Sequence, residues 1–388
     1  DFLPWMKKIF TYAKWIGIPV YSGKVALVWA FTLFILFFCL EVCAIWKLIR
    51  LLTGITVNSS AGRNLVARLS GSIFYANGLI SLVLTWRFIG AWDDIANYWL
   101  RNELTSGLNI APDKFIKRKI VFVSTFVSVC ACVEHLFSMI AAIGFQCCSL
   151  EECFRTYILR SHGFLLQPYE YDLWVAIPVF VLSKLATVLW NVQDLVIILI
   201  SMGPTSRYNM LNEYTEKLIQ REYQIKRNYN KLDTYFLVDR WRKLRRAYAR
   251  QANLVRLLEK RLGPLVFLSN LNNLYFICLQ LYLGIRIKSR SWIGRTYYLI
   301  SLAWLLSRAC GVVLAASTIL LRSKNSLPYL RSCSSSTYNI EIRRLINQLT
   351  YDTVCLSGMR LFSLSRQSLL EVVATVIKYE LILLQFDI

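Results

Sequence analysis

The chain has 388 residues, of which 56% are hydrophobic and 14% aromatic, and its mean hydropathy is +0.44. A soluble protein of this size could not bury so much apolar surface, so the composition excludes that class and predicts a protein of the lipid bilayer. The formal net charge of +22 would suit nucleic acid, but the basic residues are concentrated in alternate segments between apolar runs, and we expect no nucleic-acid partner.

Seven apolar segments are long enough to cross about 30 Å of hydrocarbon as helices, which takes about 20 residues. In chain order they are 25–46, 67–88, 119–144, 173–202, 264–286, 297–321 and 366–386. Neither a solenoid repeat nor the alternating pattern of an outer-membrane barrel is present. The sequence therefore predicts an all-α protein with seven transmembrane helices.

Lysine and arginine are distributed unevenly between the two sides. The set of segments that contains the N-terminus carries 32 of them, and the other set carries 10. Cytoplasmic segments are enriched in these residues, so we expect a cytoplasmic N-terminus and an extracellular C-terminus. The short basic loop at 286–295 opposes this majority. Seven spans in this orientation are the reverse of a G-protein-coupled receptor. Because the chain begins at Asp1 and not at Met, we also expect native residues before it.

The polar segments complete the predicted organisation. The predicted regions are a cytoplasmic N-terminus at 1–24, spans one to four at 25–203, a cytoplasmic helical extension at 204–263, spans five and six at 264–321, a cytoplasmic helical region at 322–365 and span seven at 366–388.

The extension carries an apolar stripe on a strongly basic helix. Its residues recur at three- and four-residue steps and are Trp241, Leu244, Tyr248, Ala252, Val255 and Leu258. Such a helix could lie on an anionic membrane surface or pack within an inner helical layer. Gly263-Pro264 predicts that it ends just before span five.

Two features of the loops agree with the predicted orientation. Asn58 begins the sequon Asn-Ser-Ser between spans one and two, which predicts an extracellular glycosylation site. Cys147, Cys148 and Cys153 lie between spans three and four, where either a disulfide or free thiols are compatible with the sequence.

The sequence has two histidines and no Cys-x-x-Cys pair, so we expect no metal site. No nucleophile elbow or phosphate loop is present either, so we expect no enzyme activity and no cofactor.

Polar side chains inside the spans are costly unless they are paired or hydrated, so each requires a reason. A hydrated pocket for a polar ligand is one interpretation, in which carboxylate, amide and hydroxyl groups bind hydroxyls and aromatic rings cover C–H faces, as suits a sugar. The candidate ligand-binding residues are Glu134, His135, Trp190, Asn191, Asp194, Tyr275 and Gln280. Two alternatives stay open: structural pairing, such as Asp194 with Lys184 or Arg308, and a proton relay.

The last apolar segment is also unexpectedly polar. On a helix its residues Thr375, Lys378, Tyr379, Gln385 and Phe386 share one face. A polar stripe beside an aromatic one is what the lining of a pore requires if several copies surround an axis, because an aromatic ring can close a water path by dewetting. Helix packing is the alternative.

Four motifs lead to a family resemblance. Tyr379, five mostly apolar residues and Gln385-Phe386 resemble the last-helix signature of insect gustatory receptors. Three further segments resemble the sugar-receptor branch of that family and are "NNLYFICLQLY", "CVEHLFSM" and "LWNVQDLVIILISMG". The similarity extends from span one to the C-terminus.

The resemblance implies a ligand-gated, cation-permeable channel, tetrameric, built from identical or related subunits in the plasma membrane of gustatory neurons. It implies a sugar pocket in the outer half of the spans, a gate at Gln385 and Phe386 with Tyr379 below, and an inner layer that anchors the subunits. Lys378 departs from the signature, which has Thr there. An ammonium on a cation path would repel the permeant ion unless it is paired. The remaining alternatives are a non-conducting subunit of a heteromeric receptor and a membrane transporter.

Overall fold

The computed structural model describes residues 2–19, 23–54, 61–108, 110–144, 149–227, 231–285, 292–333 and 338–386, without the side chains of 61–64, 223–227, 231–236, 285 and 379–386. Within these ranges the protein is almost entirely helical. The helices are α1 (Phe2–Ala13), α2 (Lys24–Leu52), α3 (Ala61–Gly90), α4 (Trp92–Leu104), α5 (Ile116–Ile143), α6 (Leu150–Ser161), α7 (Leu173–Arg227), α8 (Lys231–Ile285), α9 (Trp292–Ser323), α10 (Leu327–Arg331), α11 (Ile340–Tyr351) and α12 (Arg366–Phe386).

Six of the helical segments in the described part of the chain are long and apolar enough to cross a bilayer. They are Lys24–Leu52, Leu65–Leu104, Ile116–Ile143, Leu173–Glu222, Leu237–Gly284 and Trp292–Arg331. Helix α12 occupies the seventh predicted position with 21 residues. The predicted all-α fold is confirmed. The side on which each loop lies stays a prediction.

Helices α7 and α8 each have 55 residues and extend well beyond the predicted spans. Helix α8 packs with α7, α4 and α11 into a helical layer. The apolar stripe of α8 is buried there, with Trp241 and Leu244 fully buried, so the structure shows that this stripe packs against other helices. The hydroxyl of Tyr248 donates to Asn212 Oδ1 (2.7 Å) and thereby ties the two long helices together.

The predicted end of the inner helix at Gly263-Pro264 is wrong, because α8 runs through Pro264 without interruption. A proline inside a membrane-protein helix is tolerated where neighbouring groups compensate for the lost hydrogen bond. Gly263 has a different use. A Cβ there would lie 3.3 Å from the backbone nitrogen of Met359, so glycine permits the close approach of a small hairpin.

That hairpin consists of β1 (Ser357–Gly358) and β2 (Phe362–Ser363), paired antiparallel. Its turn places Met359 and Arg360 at positive φ, 54° and 62°, a conformation that non-glycine residues seldom adopt. The hairpin packs against α8 and is followed directly by α12. It therefore fixes the point from which the last helix begins.

Candidate functional site

A cavity of about 750 Å³ opens between α3, α5, α7, α8 and α9. The segment 162–172, which we call the roof segment, follows α6 and closes over it with His162, Phe164 and Gln167 among the lining residues. The roof segment is held to α2 by an ion pair between Glu170 and Lys47. The volume lies within the usual range of ligand pockets, about 300–1,000 Å³.

Five of the seven candidate ligand-binding residues line this cavity. They are Glu134, His135, Trp190, Asn191 and Gln280. The other two do not: Asp194 is buried, 1% exposed, in an ion pair, and Tyr275 packs edge-on against Phe276. The structure thus brings residues of three predicted spans to one cavity and leaves Asp194 and Tyr275 outside its lining.

One wall of the cavity contains three polar side chains, from three helices, that are joined by hydrogen bonds. Ser301 of α9 donates to Glu134 Oε1 on α5 (2.8 Å), and Gln280 Nε2 of α8 donates to the Ser301 hydroxyl (2.9 Å). Serine is small enough to lie between the longer groups, and it donates and accepts at once. These two hydrogen bonds orient the Glu134 carboxylate and the Gln280 amide at the cavity surface.

In the cavity wall, Arg308 of α9 is the centre of a second network. Its Nε lies 3.1 Å from Asp194 Oδ2, and its terminal nitrogens donate to Asn191 Oδ1 (2.9 Å) and Asn273 Oδ1 (3.1 Å). The guanidinium also stacks 4.3 Å from the centre of the Trp190 ring. Of the two partners weighed for Asp194, the structure shows Arg308 as its ion-pair partner.

Lys184, the other candidate partner, points elsewhere. Its ammonium donates to the Tyr157 hydroxyl (2.5 Å) and lies over the rings of Tyr157 and Phe180, 4.4 and 4.6 Å from their centres. This cation is stabilised by an oxygen and two aromatic faces. It joins α7 to α6 beside the cavity.

Five buried polar atoms of cavity-lining residues have no hydrogen-bond partner among the described residues. One of them, Arg308 Nε, is ion-paired with Asp194. The other four are His135 Nε2, His162 Nε2, Gln280 Oε1 and Trp304 Nε1. A buried polar atom without a partner costs about 1–3 kcal/mol, so each such group requires an explanation, and a bound water or ligand is one. Donors, acceptors and aromatic faces together suit a neutral polyol.

The roof segment was not anticipated as part of the site. His162 Nδ1 lies 3.3 Å from the Tyr75 hydroxyl, and burial, with a smaller contribution from the Lys184 charge, lowers the pKa of His162 to about 4. His162 therefore stays neutral at physiological pH. Its status as one of only two histidines was the one sequence signal that pointed to it.

The predicted gate lies on α12. Lys378 is exposed, whereas the side chains of Tyr379, Gln385 and Phe386 lie outside the described residues. The same holds for the glycosylation site at Asn58, and for Cys147 and Cys148 of the loop cysteine cluster. These assignments stay predictions.

Comparison with known proteins identifies relatives of this chain. Residues 24–388 match the family model described as Trehalose receptor. Among curated relatives, the gustatory receptor for sugar taste 64a of Drosophila melanogaster is 28% identical over 82% of this chain and 69% of its own length. The corresponding values are 29%, 87% and 76% for the gustatory receptor for sugar taste 61a, and 27%, 79% and 67% for gustatory receptor 5a for trehalose, both from the same organism.

Solved structures show the fold. The insect olfactory receptor OR5 from Machilis hrabei superposes with a TM-score of 0.71 over 99% of this chain and 98% of that chain, at 13% identity. The same receptor in complex with eugenol superposes equally well. The all-helical architecture is that of insect olfactory receptors, and since the matched family model covers nearly the whole sequence, the chain belongs to the trehalose receptor family.

Proposed function

We propose that this chain is a subunit of a sugar-gated, cation-permeable channel in the plasma membrane of gustatory neurons, with a cytoplasmic N-terminus. Sugar enters the cavity and favours an open state of a pore lined by α12. One observation carries the proposal: five of the seven predicted sugar-binding residues line one cavity with aromatic walls in a member of the trehalose receptor family. The named sugar specificities of its relatives support the choice of ligand.

The cavity provides complementary groups for a pyranose. Glu134 and Gln280 Oε1 accept hydrogen bonds from hydroxyls, and the Trp304 indole donates one. Trp190 and Phe276, whose ring centres are 4.8 Å apart, offer apolar faces for ring C–H groups. Ligand binding opens the channel only if the sugar binds the open state more tightly than the closed one.

A second candidate is a non-conducting subunit that requires a related subunit. Lys378 favours it, because an exposed ammonium on the predicted pore face would repel cations. One recording of membrane current distinguishes the two candidates. The chain is expressed alone, and with a related subunit, while mono- and disaccharides are applied under a membrane potential. Current from the chain alone supports the channel, and current only with the related subunit supports the second candidate.

The cavity itself is tested by Trp304→Phe, which keeps an aromatic ring and removes the indole N–H. We expect the half-effective sugar concentration to rise about tenfold, as for one lost hydrogen bond of about 1.4 kcal/mol. Trp174→Phe is the matched control, since Trp174 is 85% exposed and does not line the cavity. If Trp304→Phe leaves the sugar response unchanged, sugar does not bind at this cavity.

A further inference from the structure

The last helix contacts its own subunit along a narrow stripe. Among the α12 side chains that the structure describes, 366–378, only Val376 is buried. Leu369, two turns earlier on the same stripe, packs partly against the main core. The apolar residues Leu370, Val373 and Ile377 are exposed. Val376 is therefore the principal point at which the described part of α12 is held to the helices around the cavity.

Val376 belongs to a small cluster separate from the main core. It packs with Ile277 of α8 and Leu305 of α9, and Trp190 and Phe276 pack against the same cluster. Three of these residues, Leu305, Trp190 and Phe276, also line the cavity. The cluster therefore has the ligand cavity on one side and α12 on the other.

We propose that the cluster of Ile277, Leu305 and Val376 transmits occupancy of the cavity to α12, and that Val376 is a positioning residue for opening. This inference rests on the proposed function. Protein interiors are close-packed, so a ligand that displaces a side chain of the cavity wall also displaces the side chain behind it. Small displacements then select between two packed arrangements.

The neighbouring contacts direct this displacement. Arg308, three residues after Leu305, is fixed by Asp194 and by Asn191 and Asn273. The part of the cavity wall around Arg308 is thus held in place. The apolar side, toward α12, has no described hydrogen bond or ion pair between α12 and the cluster, so movement is least resisted there.

The polar face of α12 is consistent with this arrangement. On a helix, Thr375 and Lys378 lie well away from the Val376 stripe. Both side chains are exposed. A displacement of Val376 would therefore rotate or tilt the predicted pore face. Val376 and Lys378 therefore lie on different sides of one helix.

The test compares Val376→Ala with Val373→Ala, the same deletion one turn earlier at an exposed position, 44% exposed. Both variants and the wild-type chain are expressed with the subunits that allow current. Surface amount, equilibrium binding of the best sugar from the panel to purified receptor, and maximal current per surface receptor are measured. We expect Val376→Ala to reduce maximal current at least fivefold while the dissociation constant changes less than twofold, with both values unchanged for Val373→Ala.

Ile277→Val removes one methyl group from the α8 side of the cluster and serves if Val376→Ala fails to reach the surface. We expect a smaller loss of maximal current with unchanged sugar binding. The inference is overturned if the chosen variant gives wild-type maximal current, or if Val373→Ala shows the same loss. A wild-type chain that gives no sugar-evoked current, alone or with a related subunit, overturns the proposed function and this inference with it.

Discussion

Arg308 of α9 and Asp194 of α7 form an ion pair inside the helical bundle, with Nε and Oδ2 3.1 Å apart and side chains only 5% and 1% exposed. The guanidinium also donates to two asparagine oxygens, and Ser269 donates to the free carboxylate oxygen (2.6 Å). Each charge is thus both paired and hydrogen-bonded, which is the condition under which a buried pair is tolerated.

Breaking this pair from one side leaves an uncompensated buried charge. We expect Asp194→Asn to lower the free energy of unfolding by about 3–5 kcal/mol, seen as a lower melting temperature of the detergent-solubilised receptor. The double variant Asp194→Asn with Arg308→Gln should lose less than the sum of the two single losses.

The control for the ion pair is Asp239→Asn. Asp239 pairs with Lys243 (2.7 Å) on the exposed surface of α8, where both side chains are more than a third exposed. Exposed pairs contribute about 0–1 kcal/mol, so this variant should melt close to the wild type. Equal melting temperatures for Asp194→Asn and Asp239→Asn would show that the buried pair has no structural role.

Gly71 of α3 supports the roof segment. A Cβ at this position would overlap the ring of Phe164, and both residues line the cavity. We expect Gly71→Ala to displace the roof segment and to raise the half-effective sugar concentration several-fold, measured by current. The added methyl favours helix by about 1 kcal/mol, so surface expression should be retained.

Gly90→Ala, at the end of the same helix, is the matched control because a Cβ there meets no atom within 4 Å. It should leave the sugar response unchanged. If Gly71→Ala also leaves it unchanged, the ring of Phe164 moves aside at no cost to the site, and the position of the roof segment does not determine sugar binding.

How far the sequence predicts this protein depends on the range of the interactions involved. Hydropathy located the membrane helices because each span is determined by its own contact with lipid. The stripe from Trp241 to Leu258 likewise predicted an apolar helix face, since helical periodicity is local, but it left open whether that face meets lipid or other helices. The choice between Lys184 and Arg308 as the partner of Asp194 was not local, because it depends on how α7 and α9 are rotated against each other.

Two local predictions failed or were missed because tertiary contacts override propensity. Gly263-Pro264 is normally a helix-ending pair, yet α8 continues through it while the hairpin packs against Gly263. The hairpin turn at Met359-Arg360 lacks the asparagine or glycine that usually marks such turns. In the site, His162 and Phe164 were missed because the tertiary fold, and not the local sequence, determines whether a loop residue lines a cavity.

Acidification should weaken the roof segment through His162. Its pKa is lowered by burial to about 4 from an ordinary 6.5, so between these values the unfolded state binds a proton that the folded state does not. Stability is therefore full above pH 6.5 and falls as the pH drops toward 4, by on the order of 3 kcal/mol. Thermal unfolding of His162→Asn, which keeps a polar atom near Tyr75, should lose this part of the pH dependence. An unchanged profile would assign it to other groups.

Lys378 separates the two proposed roles of the chain. The residue is exposed on α12, on the predicted pore face, and it replaces the Thr of the family signature. We expect Lys378→Thr to leave assembly intact, measured as the size of the purified complex, because no described side chain of the same subunit packs against it. In the predicted tetramer, removing four ammonium groups from the predicted pore face should raise single-channel cation conductance, since a positive charge repels the permeant cation. Val376→Thr, on the buried stripe, is the contrasting variant and should alter opening but not conductance. If Lys378→Thr dissociates the complex, Lys378 is a packing residue and the pore-face assignment is wrong.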